Sequence, residues 1–414
     1  MQISSDKITN FIIYGLGQSI NLLSPLIVMP HLVIICKESG LGKIGIAFSI
    51  SLILNCIIDY SSYLNGTKEI VINKEKKNFL SHRITAIYSY KILLFILISF
   101  IGILLILSIP LITEKKLFLY SIPILASQVL NPNWILQGLE QFKQIAVYNV
   151  FSKLIYIALV YLFIKNSNDY IWANFFLGIG GTVVYLIVFF MIILKLNLKF
   201  GKESIMQGIQ ILKKDFNICI SEFCLSIYQF FPIIIVGILT GNASAGIYRI
   251  IEQIFSVFRT FIFMFFNFSY PTICYDIEKD PKKGFKTWKL YHLGNLVIIA
   301  FGCTLVFVFG RYVLQYFNLS LTEANNLLKL LRFAIIVPII LVISQALRQL
   351  MFAYSLTNIY TKIIYFSSFI NLVLLFLFVK LFDLTGAFIS MIVVETIVIL
   401  LYIKSIKRKK IIEL

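Results

Sequence analysis

The chain has 414 residues, of which 59% are hydrophobic and only 14% charged, and its net charge is +18. Soluble globular proteins are nearer half apolar and a quarter charged, so this composition excludes a water-soluble enzyme and a disordered protein. It also excludes a protein with one membrane anchor, because the apolar residues are spread along the whole chain.

Polar clusters separate twelve apolar runs that are each long enough to cross a membrane. These runs lack the period-2 alternation of barrel strands, and backbone in hydrocarbon must satisfy its own hydrogen bonds, so we predict helices. The sequence therefore predicts an all-α integral membrane protein with about 12 transmembrane helices. The runs are 10–35, 41–63, 84–107, 117–137, 145–164, 170–194, 216–240, 245–271, 290–309, 327–354, 360–381 and 385–404.

The basic residues of the loops predict the orientation of the chain. Of the 37 Lys and Arg residues, 25 fall on the side that holds both termini and 7 on the other side. Cytoplasmic loops carry such an excess, so we expect both termini in the cytoplasm. The bias also explains the net charge without a nucleic-acid partner. Every loop on the outer side is short, which disfavours a polymerase or ligase that displays its chemistry outside the cell.

The two longest basic loops are predicted at 195–215 and 272–289, and the first lies at the midpoint of the chain. We therefore predict an N-terminal six-helix lobe over 1–194 and a cytoplasmic basic linker over 195–215. A C-terminal six-helix lobe with a basic tail would follow over 216–414. No internal repeat is clear, so the symmetry of the two lobes is inferred from the span count.

Motifs of catalysis are absent from the sequence. It contains no P-loop, no GxSxG and no HExxH, so neither an ATP-driven motor nor an enzyme is predicted. The six cysteines form no CxxC motif, and the three histidines are scattered. We therefore expect no cofactor and no metal site.

The eighth run carries the most informative polar pattern. Four residues spaced 3, 4 and 3 apart share one face of a helix that is otherwise largely apolar: Arg249, Glu252, Ser256 and Arg259. One interpretation is a cationic stripe on a central cavity, able to hold phosphate through guanidinium groups. The alternative is a structural Arg249–Glu252 pair with Arg259 reaching a lipid headgroup. We favour the cavity, because two arginines exceed what one glutamate neutralises.

Two further cations lie within apolar runs, where a charge should face protein or water. Lys91, in the third run, is deeper than an interface residue should be, which makes it a candidate cavity lysine. Arg332, near the outer end of the tenth run, is either a cavity cation or a side chain that extends to the membrane interface.

Carboxylates at membrane depth are candidates for coupling transport to an ion gradient. A desolvated carboxylate can carry a proton, but each could equally be the partner of a nearby cation. The pattern does not choose between the four candidates, which are Asp59, Glu222, Glu252 and Glu395.

Amide side chains in three runs are candidates for sugar contacts, and the alternative is interhelical hydrogen bonding. They are Gln18 and Asn21 in the first run, Asn131 in the fourth and Gln229 in the seventh. Pro25 and Pro30 are expected to kink or break the first helix.

The sequence resembles the Wzx-type O-antigen flippases, which belong to the polysaccharide transporters of the MOP superfamily. The similarity extends over nearly the whole chain in the same order, although each motif is loose and apolar. The stretches that carry it are GLGQSINLLSPLIVMPHL (15–32), GLGKIGIAFSI (40–50), DYSSYLNGTKEI (59–70), NPNWILQGLEQFKQIAVYNVFSKLIYI (131–157), AGIYRIIEQI (245–254) and LFDLTGAFISMIVVETIVILLYIKSIKRKK (381–410).

This resemblance implies two six-helix bundles around a central cavity, in the bacterial inner membrane. It implies transport of an undecaprenyl-pyrophosphate-linked oligosaccharide from the cytoplasmic to the periplasmic leaflet by alternating access, driven by an ion gradient. The implied partners are this lipid-linked oligosaccharide and membrane lipid. Contact with a polysaccharide polymerase and a chain-length regulator is left open.

Two departures from the family pattern bear on the predicted site. Where the family often has Arg after the proline of the first span, this chain has Ile34. Arg249 and Arg259 must then carry more of the pyrophosphate binding. The family's TREI reads TKEI here, and Lys68 keeps the charge but loses the bidentate fork. We expect Lys68 to form a structural corner with Asp59.

Other functions remain as alternatives. A multidrug or organic-cation antiporter of the same fold needs an anionic cavity. The two arginines of the eighth run disfavour this function. A lipid II flippase usually has two more spans than this length allows. A membrane glycan polymerase or ligase is disfavoured by the short outer loops, and a purely structural scaffold is the remaining option.

Overall fold

A computed structural model describes residues 5–110 and 112–408, without the side chains of residues 5–18 and 271. The described residues form fifteen α-helices and no β-strand. In chain order they are α1 (Ser5–Asp59), α2 (Thr67–Ile72), α3 (Lys77–Ser108), α4 (Lys115–Tyr120), α5 (Ile122–Leu130), α6 (Asn133–Gly138), α7 (Phe142–Phe163), α8 (Ala173–Leu196), α9 (Lys202–Lys214), α10 (Phe216–Thr240), α11 (Asn242–Lys279), α12 (Pro281–Tyr316), α13 (Leu321–Ala334), α14 (Ile336–Ala353) and α15 (Thr357–Arg408).

Nine helical segments among the described residues are long and apolar enough to cross a membrane. Two of these are long enough for two spans each, and both are interrupted: α1 at Lys37, with φ 57°, and α15 at Phe382 and Asp383. The short helices α4, α5 and α6 occupy the predicted fourth span. The predicted all-α membrane protein of about twelve transmembrane helices is confirmed.

The predicted break of the first helix lies at a different residue. The backbone stays helical through Pro25 and Pro30, and the non-helical conformation is at Lys37, between the first two predicted spans. Transmembrane helices tolerate proline because neighbouring groups can satisfy the freed carbonyls. The break instead coincides with the point where the chain must reverse direction.

The two long basic segments predicted as loops are largely helical. Residues 202–214 form α9, and the 272–289 segment is divided between the end of α11 and the start of α12. Asp280 separates those two helices, and its side chain accepts hydrogen bonds from the backbone N–H groups of Lys282 and Lys283. An N-cap aspartate followed by proline at the first helical position is a strong signal for starting a helix.

The described chain forms two compact units, one ending at Phe231 and the other beginning at Pro232. The boundary lies inside α10, beyond the predicted 195–215 linker. The reason is that α9 packs against α3 of the first unit. A Cβ at Gly208 would lie 2.8 Å from the carbonyl oxygen of Ala86, so only glycine permits this approach of the two helices.

The core of the first unit is centred on the first half of α3. Aromatic and aliphatic side chains of α3, α6, α8 and α9 bury one another there, and Trp134 packs edge to face against Tyr88. In the second unit, hydrogen bonds tie α11, α12 and α14 together. Gln349 of α14 donates to the carbonyl of Phe266 and contacts the ring of His292 at 2.6 Å.

Candidate functional sites

An ion pair between a buried lysine and a partly buried aspartate lies in the first unit, between the end of α1 and the middle of α3. The ammonium of Lys91 is 2.9 Å from Oδ1 of Asp59, and the Lys91 side chain is completely buried. The same oxygen accepts hydrogen bonds from Ser62 Oγ at 2.7 Å and from Gln128 Nε2 at 3.1 Å. Lys91 also lies 5.6 Å from the ring centroid of Trp134. The charge of Lys91 is therefore neutralised locally.

A break in the predicted fourth span brings amide groups to this ion pair. Pro132 has no N–H and disfavours the helical conformation of the residue before it, so Asn131 adopts φ −56° and ψ 113° between α5 and α6. The side-chain oxygen of Asn131 then accepts from the backbone N–H of Asn133 at 3.0 Å. Asn131 also donates to Gln128, the amide of α5 that bonds to Asp59.

These residues line a cavity of about 170 Å³. Trp134 Nε1 and Asn133 Oδ1 are buried there without a hydrogen-bond partner among the described residues, as is Nδ2 of the neighbouring Asn149. Such groups normally have partners, so this arrangement suits water or the hydroxyl groups of a ligand. The lining residues are Asp59, Tyr63, Gln128, Asn131, Asn133, Trp134, Gln137 and Ile145.

A second charged cluster lies on α11, in the second unit. Arg249 Nη1 is 2.6 Å from Oε2 of Glu252, and Arg259 Nη1 is 3.3 Å from Oε1 of the same carboxylate. The two arginines therefore share one glutamate, and the three side chains carry a net charge of +1. The arginine side chains are 17% and 18% exposed, so neither is completely buried.

This arrangement differs from the alternative interpretation of the stripe, in which Arg259 reaches a lipid headgroup. Arg259 pairs with Glu252 instead of extending to a headgroup, and Ser256 bonds within α11, to the carbonyl of Gln253 at 2.7 Å. The cluster is thus Arg249, Glu252 and Arg259, without Ser256. Each guanidinium group has five N–H donors, and the shared carboxylate accepts from Nη1 of both arginines.

The other predicted cation has different partners. Arg332 is exposed, donates from Nε to the carbonyl of Phe307 at 3.1 Å and lies over the Phe307 ring at 5.0 Å. These contacts fit the interface alternative for Arg332. Lys91 is not an available cation either, because Asp59 neutralises it.

The expected corner between Lys68 and Asp59 is wrong. Lys68 is exposed, and the partner of Asp59 is Lys91, which approaches from α3. The neighbouring Glu69 pairs with Arg83 instead. Ile34, which stands where the family often has arginine, is 49% exposed.

The other predicted site residues lie in α1, α10 and α15. Asn21 of α1 and Gln229 and Glu222 of α10 are partly buried, whereas Glu395 of α15 is buried. Gln18 lies in α1, but its side chain is outside the described residues.

One buried carboxylate was missed by the sequence reasoning. Asp215, between α9 and α10, accepts from Ser61 Oγ at 2.6 Å and from Asn65 Nδ2 at 2.9 Å. Tyr60 Oη adds a bond to the carbonyl of Leu212 at 2.7 Å. Asp215 thereby fastens the start of α10 to the turn that follows Asp59. The sequence feature that could have indicated the role of Asp215 is an acidic residue directly before an apolar run, within an otherwise basic segment.

Comparison with known families settles the class of the protein. A sequence model described as polysaccharide biosynthesis protein matches residues 8–274, more than half of the chain. The chain belongs to this family. It is 23% identical over 410 residues to a protein of Escherichia coli (strain K12) named "Putative O-antigen transporter", and the match covers 97% of both chains. A Shigella dysenteriae protein of the same name is 23% identical over 237 residues, which cover 56% of this chain and 59% of that protein.

Solved structures identify the fold. The lipid II flippase MurJ, in an inward closed conformation, superimposes with a TM-score of 0.76 at 15% identity, over 96% of this chain and 87% of that chain. An inward-facing multidrug resistance MATE transporter of the MOP superfamily gives 0.74 at 13% identity, over 95% and 94%. The resemblance to Wzx-type flippases is thus confirmed, and this member of the polysaccharide family is a multi-pass membrane transporter with the MOP fold.

Proposed function

We propose that this transporter flips an undecaprenyl-pyrophosphate-linked oligosaccharide from the cytoplasmic to the periplasmic leaflet of the bacterial inner membrane. The single observation that carries the proposal is the α11 cluster, in which Arg249 and Arg259 share Glu252. A net positive charge at membrane depth costs free energy, so its presence indicates a functional site. The pyrophosphate of a lipid that crosses the membrane is an anion that reaches this depth. Guanidinium groups match phosphate oxygens in a bidentate geometry.

The cavity at Asp59 fits a different part of the same substrate. Its ion pair is neutral, and its lining is rich in amides, with Trp134 and Tyr63 beside them. We infer that it contacts sugar hydroxyls, for which amide donors and acceptors are suited. An organic-cation extruder would need an anionic site, and neither the α11 cluster nor the ion pair at Asp59 carries a net negative charge.

An ion gradient is the proposed source of energy. Among the four candidate carboxylates, Asp59 and Glu252 hold cations of the protein itself. Glu395 is buried in α15 and Glu222 is partly buried in α10, so amide variants of all four carboxylates are needed to identify the coupling residue. The loop charges support a cytoplasmic location for both termini, which would put the basic segments beside the leaflet where the substrate is made.

The test is a leaflet assay in a strain that lacks the gene. Polyprenyl-linked oligosaccharides would be extracted after intact spheroplasts are treated with an impermeant glycan-modifying reagent. We expect a complete repeat unit that is protected from the reagent, together with loss of surface polysaccharide. A repeat unit that is exposed but not extended would indicate a polymerase, and unchanged glycans with raised sensitivity to cationic drugs would indicate an extruder.

A further inference from the structure

A second cavity, lined by polar side chains and by Phe79 and Ile211, lies outside the sites described above, between the first turns of α3 and the helix α9. Its volume is about 410 Å³. His82 and Arg83 line it from α3, and Gln207, Gln210 and Lys214 line it from α9. Because α9 connects α8 and α10, both of which are long enough to span the membrane, this cavity lies at a membrane surface.

The packing of α9 fixes which side chains face the cavity. Ser204, Gly208 and Ile211 form the buried face against α3, where Ser204 Oγ is 3.0 Å from Ser89 Oγ. The residues at 207, 210 and 214 are spaced 3 and 4 apart, so they lie together on one flank of this face. The register of the two helices therefore holds Lys214 and both glutamines over the same cavity.

The opposite flank of α9 is apolar and exposed. Ile205 and Ile209 lie on it, with Met206 beside them, and all three side chains are exposed. A short helix with an exposed apolar flank and a polar flank that carries lysine is typical of helices in the headgroup region of a membrane. The ligand of the cavity should therefore be a component of that region.

The excess of basic residues around the cavity favours an anionic ligand. The segments 68–83 and 195–215 each contain five Lys or Arg residues and two acidic residues. Arg83 forms an ion pair with Glu69, and Gln207 bonds to Glu203, so part of the local charge is balanced. Lys214 faces the cavity, and the guanidinium of Arg83 has more N–H donors than one carboxylate uses.

We propose that the cavity between α3 and α9 binds the phosphate headgroup of an anionic phospholipid. The lysine and arginine supply charge-assisted hydrogen bonds to phosphate oxygens, and the two glutamines supply neutral donors. The acyl chains would follow the apolar flank of α9. This site is separate from the α11 cluster, so the proposal stands independently of the transported substrate.

The experiment uses the full chain in nanodiscs of phosphatidylcholine with and without phosphatidylglycerol. The measured quantities are the midpoint temperature of unfolding and the affinity for phosphatidylglycerol by native mass spectrometry. Lys214→Gln should weaken this affinity about tenfold, the effect of losing one hydrogen bond to a charged group. Lys213→Gln is the matched control, because Lys213 is equally exposed in the same last turn but does not line the cavity.

Three outcomes would overturn the proposal. Equal effects of the two lysine variants would reduce the site to general surface charge. An affinity of Lys214→Arg as low as that of Lys214→Gln, with both variants folded, would exclude a charge contact at this position. Stabilisation by inorganic phosphate in pure phosphatidylcholine, lost in Lys214→Gln, would indicate a soluble phosphate ligand instead of a lipid. Retained phosphatidylglycerol binding in Lys214→Arg and Lys213→Gln, with loss in Lys214→Gln, is the supporting result.

Discussion

Lys91 and Asp59 lie 32 positions apart in sequence, yet their charged groups are 2.9 Å apart and the lysine side chain is completely buried. The pair joins the end of the second predicted span to the third. Removing one partner of a buried pair is costly, because the other charge stays in a low-dielectric environment, whereas replacing both can be nearly neutral.

We expect Lys91→Met to destabilise the protein by about 1–3 kcal/mol, because Asp59 would lose its charge partner while its own side chain, 23% exposed, keeps some contact with solvent. The double variant with Asp59→Asn should recover much of this loss, because Ser62 and Gln128 can still bond to the amide. The midpoint temperatures of unfolding in detergent would measure both effects. Additive losses in the double variant would show that the two side chains do not interact.

The α11 cluster makes a prediction about binding. Arg249→Ala or Arg259→Ala would leave Glu252 paired with one arginine and no net charge, so each should abolish export with normal membrane insertion. Lysine at either position should keep part of the export, because the charge stays while the bidentate fork is lost. The readout is surface polysaccharide in the complemented deletion strain.

Two control variants test whether the loss of export is specific to Arg249 and Arg259. Arg332→Ala should leave export unchanged, because Arg332 contacts Phe307 on an exposed surface. Glu252→Gln should keep binding of undecaprenyl pyrophosphate, because both arginines retain their charge. Normal export by both alanine variants at 249 and 259 would refute the role of the cluster.

How far the sequence predicts this structure depends on the range of the interaction. The spans follow from apolar runs, and the Arg249–Glu252 pair from the period of one helix, so both were accessible. The Asp59–Lys91 pair joins two separate helices, and no periodicity within either one indicates it. The helix break at Asn131 and Pro132 could be predicted from the proline. The position of the nearby amides relative to Asp59 could not, because it depends on the packing of α5 against α1 and α3.

Asp215 should matter more for stability than an ordinary loop aspartate. Asp215→Ala would leave Ser61 and Asn65 without their acceptor, and each unpaired buried group costs about 1–3 kcal/mol. Asp215→Asn keeps one acceptor oxygen and should retain much of the stability. Equal midpoint temperatures of unfolding for wild type and Asp215→Ala would contradict this assignment.

The contact between α5 and α8 depends on Gly178. A Cβ at this position would overlap the backbone of Pro123 and Ile124, so Gly178→Ala should destabilise the protein by about 1–3 kcal/mol. Gly102 in α3 is the matched control, since a Cβ there would meet no atom within 4 Å. Gly102→Ala should be neutral or slightly stabilising, because alanine is the better helix former. The comparison uses thermal unfolding of the two variants side by side.

A carboxylate outside the spans predicts a pH dependence. Glu114 is 2.6 Å from Lys43 and accepts a hydrogen bond of 2.5 Å from Tyr170. Burial raises the pKa of Glu114, but the bonds from Lys43 and Tyr170 and the charge of Lys43 outweigh it, and the pKa lies below its usual value.

A lowered carboxyl pKa in the folded state contributes stability above the unfolded pKa of about 4.3, and this is lost as the pH falls through the folded value. The difference in midpoint temperature between wild type and Glu114→Gln should therefore be constant near neutral pH and shrink in acid. Glu75→Gln, at an exposed glutamate, is the control. A difference that is independent of pH would argue against the ion pair.

The arrangement of charges on α11 bears on how this helix enters the membrane. Of the nine candidate spans, its segment is the least apolar, yet the three charged groups of the cluster pair within the same helix, over three and seven positions. Such pairs can form while the segment is still leaving the translocon, before any other helix has packed against it. The segment can thus be inserted with the three charges of this cluster already paired.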